Sequence, residues 1–131
     1  MKQCPCRSKK SFRECCSVYI NGQALPATPE ALMRSRYTAY SLANINYIME
    51  TMKGRAIENY DKEEAQTWAK RVRWLGLDVL NTKTDALKGW VEFIAHYSDQ
   101  GIKQKIEEVS EFHFEDGRWF YVDGVHSLKS E

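Results

Sequence analysis

The sequence lacks several features that would assign a function class directly. None of its apolar runs approaches the ~18–20 residues that a transmembrane helix needs, so we expect no membrane span. The 19 basic and 18 acidic side chains give a net charge of +1, so the overall charge does not indicate a nucleic-acid partner. The chain also has no phosphate-binding glycine loop, no G-x-S-x-G elbow and no H-E-x-x-H sequence.

Cysteine is missing from residue 17 onward, because all four cysteines lie within the first 16 residues. They form Cys4-Pro5-Cys6 and, after eight further residues, Cys15-Cys16. Two disulfides would suit a secreted domain, but only Met1-Lys2-Gln3 precede Cys4, so we expect no signal peptide and a cytoplasmic protein. A redox pair normally has the spacing C-x-x-C, which this sequence lacks. The third possibility is a metal site with four thiolates.

The cysteine spacing suits a closed tetrahedral zinc site, in which thiolates bind the metal at ~2.3 Å. The rigid turn Cys4-Pro5-Cys6 would supply two ligands, and a helix beginning near Phe12 would supply Cys15 and Cys16. Neighbouring basic side chains would lower the thiol pKa values and offset the negative charge of the site; they are Lys2, Arg7, Lys9, Lys10 and Arg13. A filled site has no open position, so this zinc would be structural. Free or oxidised thiols are the alternative.

These residues resemble the SEC-C motif, the short zinc-binding tail of the protein-export motor SecA that also occurs in many other bacterial proteins. The positions that match in register are Cys4-Pro5-Cys6, Ser8, Lys10, Phe12 and Cys15-Cys16. The resemblance implies that Cys4, Cys6, Cys15 and Cys16 are the zinc ligands. Arg7 and Lys9 stand where the motif has glycines, and a left-handed backbone there would cost about 1 kcal/mol at each residue.

The rest of the sequence predicts helices first and strands afterwards. After a connector over residues 17–28, helix N-caps are predicted at Thr28, Asn44 and Asp61. Strands are predicted near residues 75–80, 90–97, 102–114 and 119–122, the last two joined by the turn Asp116-Gly117. This order predicts an α+β fold, with three helices packed on a curved, four-stranded antiparallel sheet. Both sheet faces carry apolar side chains, so we expect room for a homodimer on the uncovered face.

The whole chain resembles the YchJ-like bacterial family. Two stretches carry this resemblance most specifically: Arg34-Ser35-Arg36-Tyr37 and Gly117-Arg118-Trp119-Phe120-Tyr121-Val122-Asp123-Gly124. The resemblance implies a SEC-C zinc-binding motif over residues 1–18, which we call the knuckle. It also implies a cone-shaped domain of the nuclear transport factor 2-like superfamily over residues 19–131. The family brings no assigned activity.

The first function that we expect is docking through the knuckle. Its basic side chains would bind a protein or ribonucleoprotein partner, as similarity to the SecA tail suggests. Five cations alone give weak and salt-dependent affinity for nucleic acid, so we do not expect specific DNA binding.

The second, alternative function is small-molecule binding or catalysis in a pocket between the helices and the sheet. The residues that we expect to line this pocket are Arg34, Arg36, Tyr37, Trp68, Glu108 and Ser110. Glu108 would share a strand face with Phe112, and apolar surroundings would raise its pKa and suit it to acid or base chemistry. A buried Glu–Arg ion pair that only fixes the helix against the sheet is the structural alternative. No residue is assigned a catalytic role, and whether the chain is an enzyme stays open.

Overall fold

The computed structural model describes residues 2–126 and contains four α-helices followed by four strands. The helices are α1 (Cys16–Ile20), α2 (Pro29–Ser41), α3 (Ile45–Glu50) and α4 (Lys62–Arg71). The strands are β1 (Arg73–Asp85), β2 (Lys88–Asp99), β3 (Ile102–Glu115) and β4 (Arg118–His126). Two 3-10 turns, Phe12–Glu14 and Gly54–Ala56, precede α1 and α4. The α+β class is therefore confirmed, whereas the connector predicted for residues 17–28 is wrong at its start, where α1 continues from the knuckle.

Helices α2, α3 and α4 each begin at the side-chain cap that the sequence predicts. Thr28 Oγ1 accepts a hydrogen bond from the Ala31 amide at 3.0 Å. Asn44 Oδ1 accepts from the Tyr47 amide at 3.1 Å, and Asp61 Oδ1 accepts from the Glu64 amide at 3.0 Å. Because such a cap satisfies one of the free amides of the first turn, it fixes the residue at which the helix begins.

The four strands form one antiparallel sheet in the order β1-β2-β3-β4. Asp116 and Gly117 have φ values of 52° and 82°, so the predicted tight turn between β3 and β4 is confirmed. Register shifts interrupt β1 near Gly76 and Leu80 and interrupt the β3–β4 pair near Phe112. Such bulges bend a strand and increase its twist, which lets the sheet close around α2.

The knuckle cysteines are part of the main core. Leu32, Met33 and Tyr37 of α2 pack on the sheet side chains Leu77, Val91, Phe93 and Phe112, and the same cluster of buried residues includes Cys4, Cys6 and Cys16. The knuckle therefore lies against the cone and does not project from it, and the division into parts 1–18 and 19–131 stays a prediction. Among residues 2–126, no helix is long and apolar enough to cross a membrane.

Candidate metal centre and cone cavity

The four cysteine sulphurs converge at the spacing of a tetrahedral metal site. All four Sγ atoms lie within 4.8 Å of one another, and Cys15 Sγ lies 3.7 Å from Cys6 Sγ and 3.9 Å from Cys16 Sγ. Thiolates at ~2.3 Å from a central zinc would be separated by about 3.8 Å along each edge of the tetrahedron. The thiols are free rather than paired in disulfides. The donor set and its spacing therefore fit zinc, which these residues would bind without an open position.

Local backbone hydrogen bonds fold the knuckle. The Phe12 amide donates to the Lys2 carbonyl at 3.0 Å, and the Cys4 amide donates to the Lys10 carbonyl at 2.8 Å. The Arg7 amide then donates to the Cys4 carbonyl at 3.1 Å, which closes the turn between the first two cysteines. On the other side, Ser11 caps the 3-10 turn, so that Cys15 and Cys16 arrive at the start of α1.

The backbone at Arg7 and Lys9 is left-handed, with φ values of 66° and 73°. These are the two positions where the SEC-C motif has glycines, so the expected strain is present at both. Arg7 turns its side chain to β1, where it donates to Asp78 Oδ1 at 3.1 Å and to the Leu75 carbonyl at 3.3 Å. The guanidinium lies so close to Gly76 that a Cβ atom at residue 76 would collide with it.

Helix α2 contacts two of the four cysteines of the candidate metal centre. Thr38 Oγ1 lies 3.6 Å from Cys4 Sγ, and Arg34 Nη1 donates to the Cys6 carbonyl at 2.6 Å. Ser8 Oγ, from the knuckle itself, lies 3.1 Å from Cys15 Sγ. Such outer contacts orient the ligands of a metal site. Arg34 is also held by Glu30, at 3.0 Å.

Cys4, Cys6 and Cys16 shift one another's pKa values. Hydrogen bonds with Cys4 and Cys6, together with burial, raise the pKa of Cys16. Hydrogen bonds from Cys16 and Cys6 lower the pKa of Cys4 far below its ordinary value. Because like charges at this spacing repel one another, a dication at the centre would stabilise the four thiolates together.

The charge of the knuckle faces outward. Lys2, Lys9, Lys10 and Arg13 are exposed, and none of them makes an ion pair within the described part of the chain. Arg7 differs, because Asp78 neutralises it. Asp78 also binds His96, with Oδ2 2.8 Å from Nε2, and the pKa of Asp78 is lowered by this hydrogen bond and by Arg7.

A separate cavity of about 290 Å³ lies between α2, the 3-10 turn Gly54–Ala56 and the sheet. The structure places five of the six predicted pocket residues on its wall: Arg36, Tyr37, Trp68, Glu108 and Ser110. Arg34 does not line the cavity, because its side chain lies on a different face of α2 from Arg36 and donates to the Cys6 carbonyl in the knuckle. The candidate residues therefore divide between the two sites.

Arg36 and Glu108 share the cavity without forming an ion pair. Arg36 Nη1 donates to the Ile48 carbonyl at 2.8 Å and to Thr51 Oγ1 at 2.7 Å, while its Cζ lies 4.5 Å from the ring centre of Tyr121. Glu108 Oε2 accepts from Ser110 Oγ at 2.7 Å and from the Tyr121 hydroxyl at 3.1 Å. The Glu–Arg ion pair that was the structural alternative is thus not formed within residues 2–126.

The comparisons with known proteins agree with this architecture. Residues 28–124 match the family described as "YchJ, middle NTF2-like domain". A UPF0225 protein of Geobacter sulfurreducens is 40% identical over 124 residues, which cover 92% of this chain and 77% of that protein. A UPF0225 protein of Haemophilus influenzae is 38% identical over 129 residues, covering 98% and 80%. The chain belongs to the UPF0225 (YchJ-like) family.

Two solved structures resemble the UPF0225 chain over both of its parts. The solution structure of RPA3114, a SEC-C motif containing protein from Rhodopseudomonas palustris, has a TM-score of 0.87 and 35% identity, covering 95% of this chain and 98% of that one. The crystal structure of a SEC-C motif containing protein from Psychrobacter arcticus has a TM-score of 0.83 and 26% identity, covering 100% and 86%. The resemblance to the YchJ-like family is therefore confirmed.

The sequence did not place three tyrosines, Tyr40, Tyr60 and Tyr121, at the UPF0225 cavity. The Tyr60 hydroxyl lies 2.7 Å from that of Tyr40. Burial raises the pKa of Tyr60, and this contact raises it by a smaller amount. Tyr121 connects Arg36 to Glu108, and burial followed by the Glu108 carboxylate raises its pKa. Tyr60 lies in an irregular segment with no periodicity that would place it. Tyr121 is within the most specific stretch of the family resemblance, which was the available signal.

Proposed function

We propose that this UPF0225 protein is a docking module, in which a structural zinc ion folds the knuckle and the knuckle's exposed basic side chains bind an acidic surface of a partner protein. The observation that supports it most directly is the set of four sulphurs at tetrahedral spacing beside four cations that make no ion pair within the described residues. The zinc has a structural part only, because four protein ligands leave no position for a substrate or water.

The distribution of charge in the knuckle supports docking rather than simple attachment. A knuckle that only tied down the N-terminus would need Arg7, whose ion pair with Asp78 joins it to β1. Lys2, Lys9, Lys10 and Arg13 contribute nothing to that attachment, since they make no ion pair within the described residues. Unpaired cations on a rigid support are suited to steering and orienting an anionic partner. A protein partner is favoured over nucleic acid because so few cations give little affinity for phosphate backbones at physiological salt.

Metal analysis tests the first half of the proposal. We expect about one zinc ion per chain in protein purified without chelators. Cys15→Ser should lose most of this zinc, whereas Ser17→Ala, one residue beyond the cluster, should keep it. Alkylation followed by mass spectrometry gives the redox state of the thiols. Metal-free native protein with two disulfides would contradict the proposal.

A charge-matched pair of variants tests the second half. Lys9→Gln, Lys10→Gln and Arg13→Gln together remove three charges from the knuckle, and Lys62→Gln, Lys70→Gln and Lys103→Gln remove three exposed charges elsewhere. In affinity capture from a nuclease-treated bacterial lysate, we expect the first variant to lose proteins that both the wild type and the second variant retain. Equal loss in both variants would mean non-specific charge effects. Capture that disappears with nuclease alone would indicate a nucleic-acid partner instead.

A further inference from the structure

We propose that the cone cavity binds a small organic carboxylate, with the carboxylate held by Nε and Nη2 of Arg36 and an apolar body packed against the aromatic walls. This inference is independent of the docking function, because the cavity and the knuckle use different residues. It assigns a ligand class to a site for which the family name and the related structures give none.

The guanidinium of Arg36 is buried, but only one of its three nitrogens donates hydrogen bonds to the described residues. Its exposed fraction is 6%, and both of its hydrogen bonds, to the Ile48 carbonyl and to Thr51 Oγ1, come from Nη1. Nε and Nη2 make no hydrogen bond to any side chain or backbone group of residues 2–124. These two nitrogens form one edge of the planar guanidinium, and their parallel N–H groups match the two oxygens of a carboxylate.

Arg36 is one of the residues that line the cavity, and its free edge is not fully enclosed. Within the described chain, the one fully enclosed side-chain nitrogen or oxygen without a hydrogen bond is Nε of Arg118, so Nε and Nη2 of Arg36 keep contact with solvent. Arg36 lines the cavity, and its Cζ lies over the ring of Tyr121. This contact with the Tyr121 ring, together with the two bonds from Nη1, restrains the guanidinium at the cavity wall.

No carboxylate among the described side chains forms a hydrogen bond or ion pair with this guanidinium. Glu108 is the acidic residue nearest in the hydrogen-bond network, yet its bonds run from Ser110 and from the Tyr121 hydroxyl, both to Oε2. Tyr121 lies between Arg36 and Glu108: its ring contacts the Arg36 guanidinium, and its hydroxyl donates to Glu108 Oε2. A buried cation is costly unless a counter-charge compensates it. A carboxylate ligand would provide that counter-charge, which none of the described side chains provides.

Most of the remaining cavity wall is apolar and aromatic; Asp123 also lines it and is paired with Arg55 at 3.6 Å. Tyr40, Trp68 and Trp74 pack together, with ring centres 6.2 Å apart for Tyr40–Trp68 and 5.1 Å apart for Trp68–Trp74. Phe93, Ala95 and Ile106 of the sheet close the opposite side. The volume of about 290 Å³ is at the small end of the range for ligand sites, so it suits a molecule with a single ring rather than a nucleotide or lipid.

Phenylacetate and its neutral isostere phenylacetamide are the probes for this inference. Titration calorimetry of the zinc-loaded full chain should show phenylacetate binding about tenfold or more tightly than phenylacetamide, the difference expected when hydrogen bonds gain a charged partner. Amide NMR shifts should map to residues around the cavity. Arg36→Gln should reduce this preference to about twofold or less, whereas Arg73→Gln, which removes an exposed arginine elsewhere, should leave it unchanged.

A second variant keeps the test valid where Arg36→Gln disturbs folding. Ala56→Leu enlarges a half-buried side chain at the cavity wall and should abolish phenylacetate binding while zinc content and circular dichroism stay as in the wild type. Equal affinity for the two probes would overturn the carboxylate assignment while leaving a ligand cavity. A preference that survives Arg36→Gln would overturn the role of Arg36. Absence of binding by either probe would overturn the inference as a whole.

Discussion

Lys9 tests the knuckle geometry because its backbone is strained and its side chain makes no hydrogen bond or ion pair within residues 2–126. Its φ of 73° is left-handed, which costs an L-residue roughly 1–2 kcal/mol and costs glycine almost nothing. The greater freedom of glycine in the unfolded chain opposes this gain by about 0.4–1 kcal/mol. Lys9→Gly should therefore favour the folded knuckle by about 0.5–1 kcal/mol.

Zinc affinity is the measurement, because metal binding and folding of such a motif are coupled. Lys9→Gly should bind zinc about two- to fivefold more tightly than wild type in competition with a chromophoric chelator at pH 7. Lys10→Gly is the control, since it removes the same charge at a residue that is not left-handed, and it should weaken binding slightly. If both variants change zinc affinity in the same direction and by the same factor, backbone strain at residue 9 is not the cause.

Three further predictions concern the contacts between the knuckle and the cone. Gly76→Ala should lower the free energy of unfolding by about 1–3 kcal/mol in urea denaturation. Adding Arg7→Ala to this variant removes the collision with the guanidinium but should restore only part of the stability, because φ at residue 76 is +154° and strains an alanine there. In an NMR titration, the pKa of the Asp78 carboxyl should lie below its ordinary value of 3.8, and it should return toward that value in His96→Gln. The ionised carboxylate stabilises the fold at pH values above 3.8, and this contribution is lost as the pH falls through the lowered pKa. Arg34→Gln should lower the melting temperature through loss of a bond worth about 1–2 kcal/mol, an effect absent in Arg73→Gln.

The local features of this fold were predictable from single residues. Thr28, Asn44 and Asp61 are capping residues placed before helical patterns, and each begins a helix. Asp116-Gly117 tolerates the left-handed backbone of a two-residue turn, and it joins β3 to β4. In these cases the chemistry that decides the conformation lies within four residues of chain, so it is visible in the sequence.

The relation between the two sites was not predictable, because it depends on contacts distant in sequence. Arg34 and Arg36 differ by two positions on one helix, which points them to different faces, and nothing local tells which face meets the cavity. The Arg34 bond to the Cys6 carbonyl spans 28 residues, and the Arg7 bond to Asp78 spans 71. Gly76 lies inside β1, at a bulge beneath Arg7, and no local pattern in the sequence indicates this close contact.

The burial of Cys4, Cys6 and Cys16 against α2 and the sheet sets an order for events during synthesis. The knuckle leaves the ribosome before the cone, and its hydrogen bonds among residues 2–16 are local enough to form while translation continues. The surface that covers its sulphurs includes Leu77 and Phe93, which emerge more than sixty residues later. A nascent chain therefore presents reactive thiols to the surrounding medium, and early capture of zinc would protect them from oxidants until the cone closes over them.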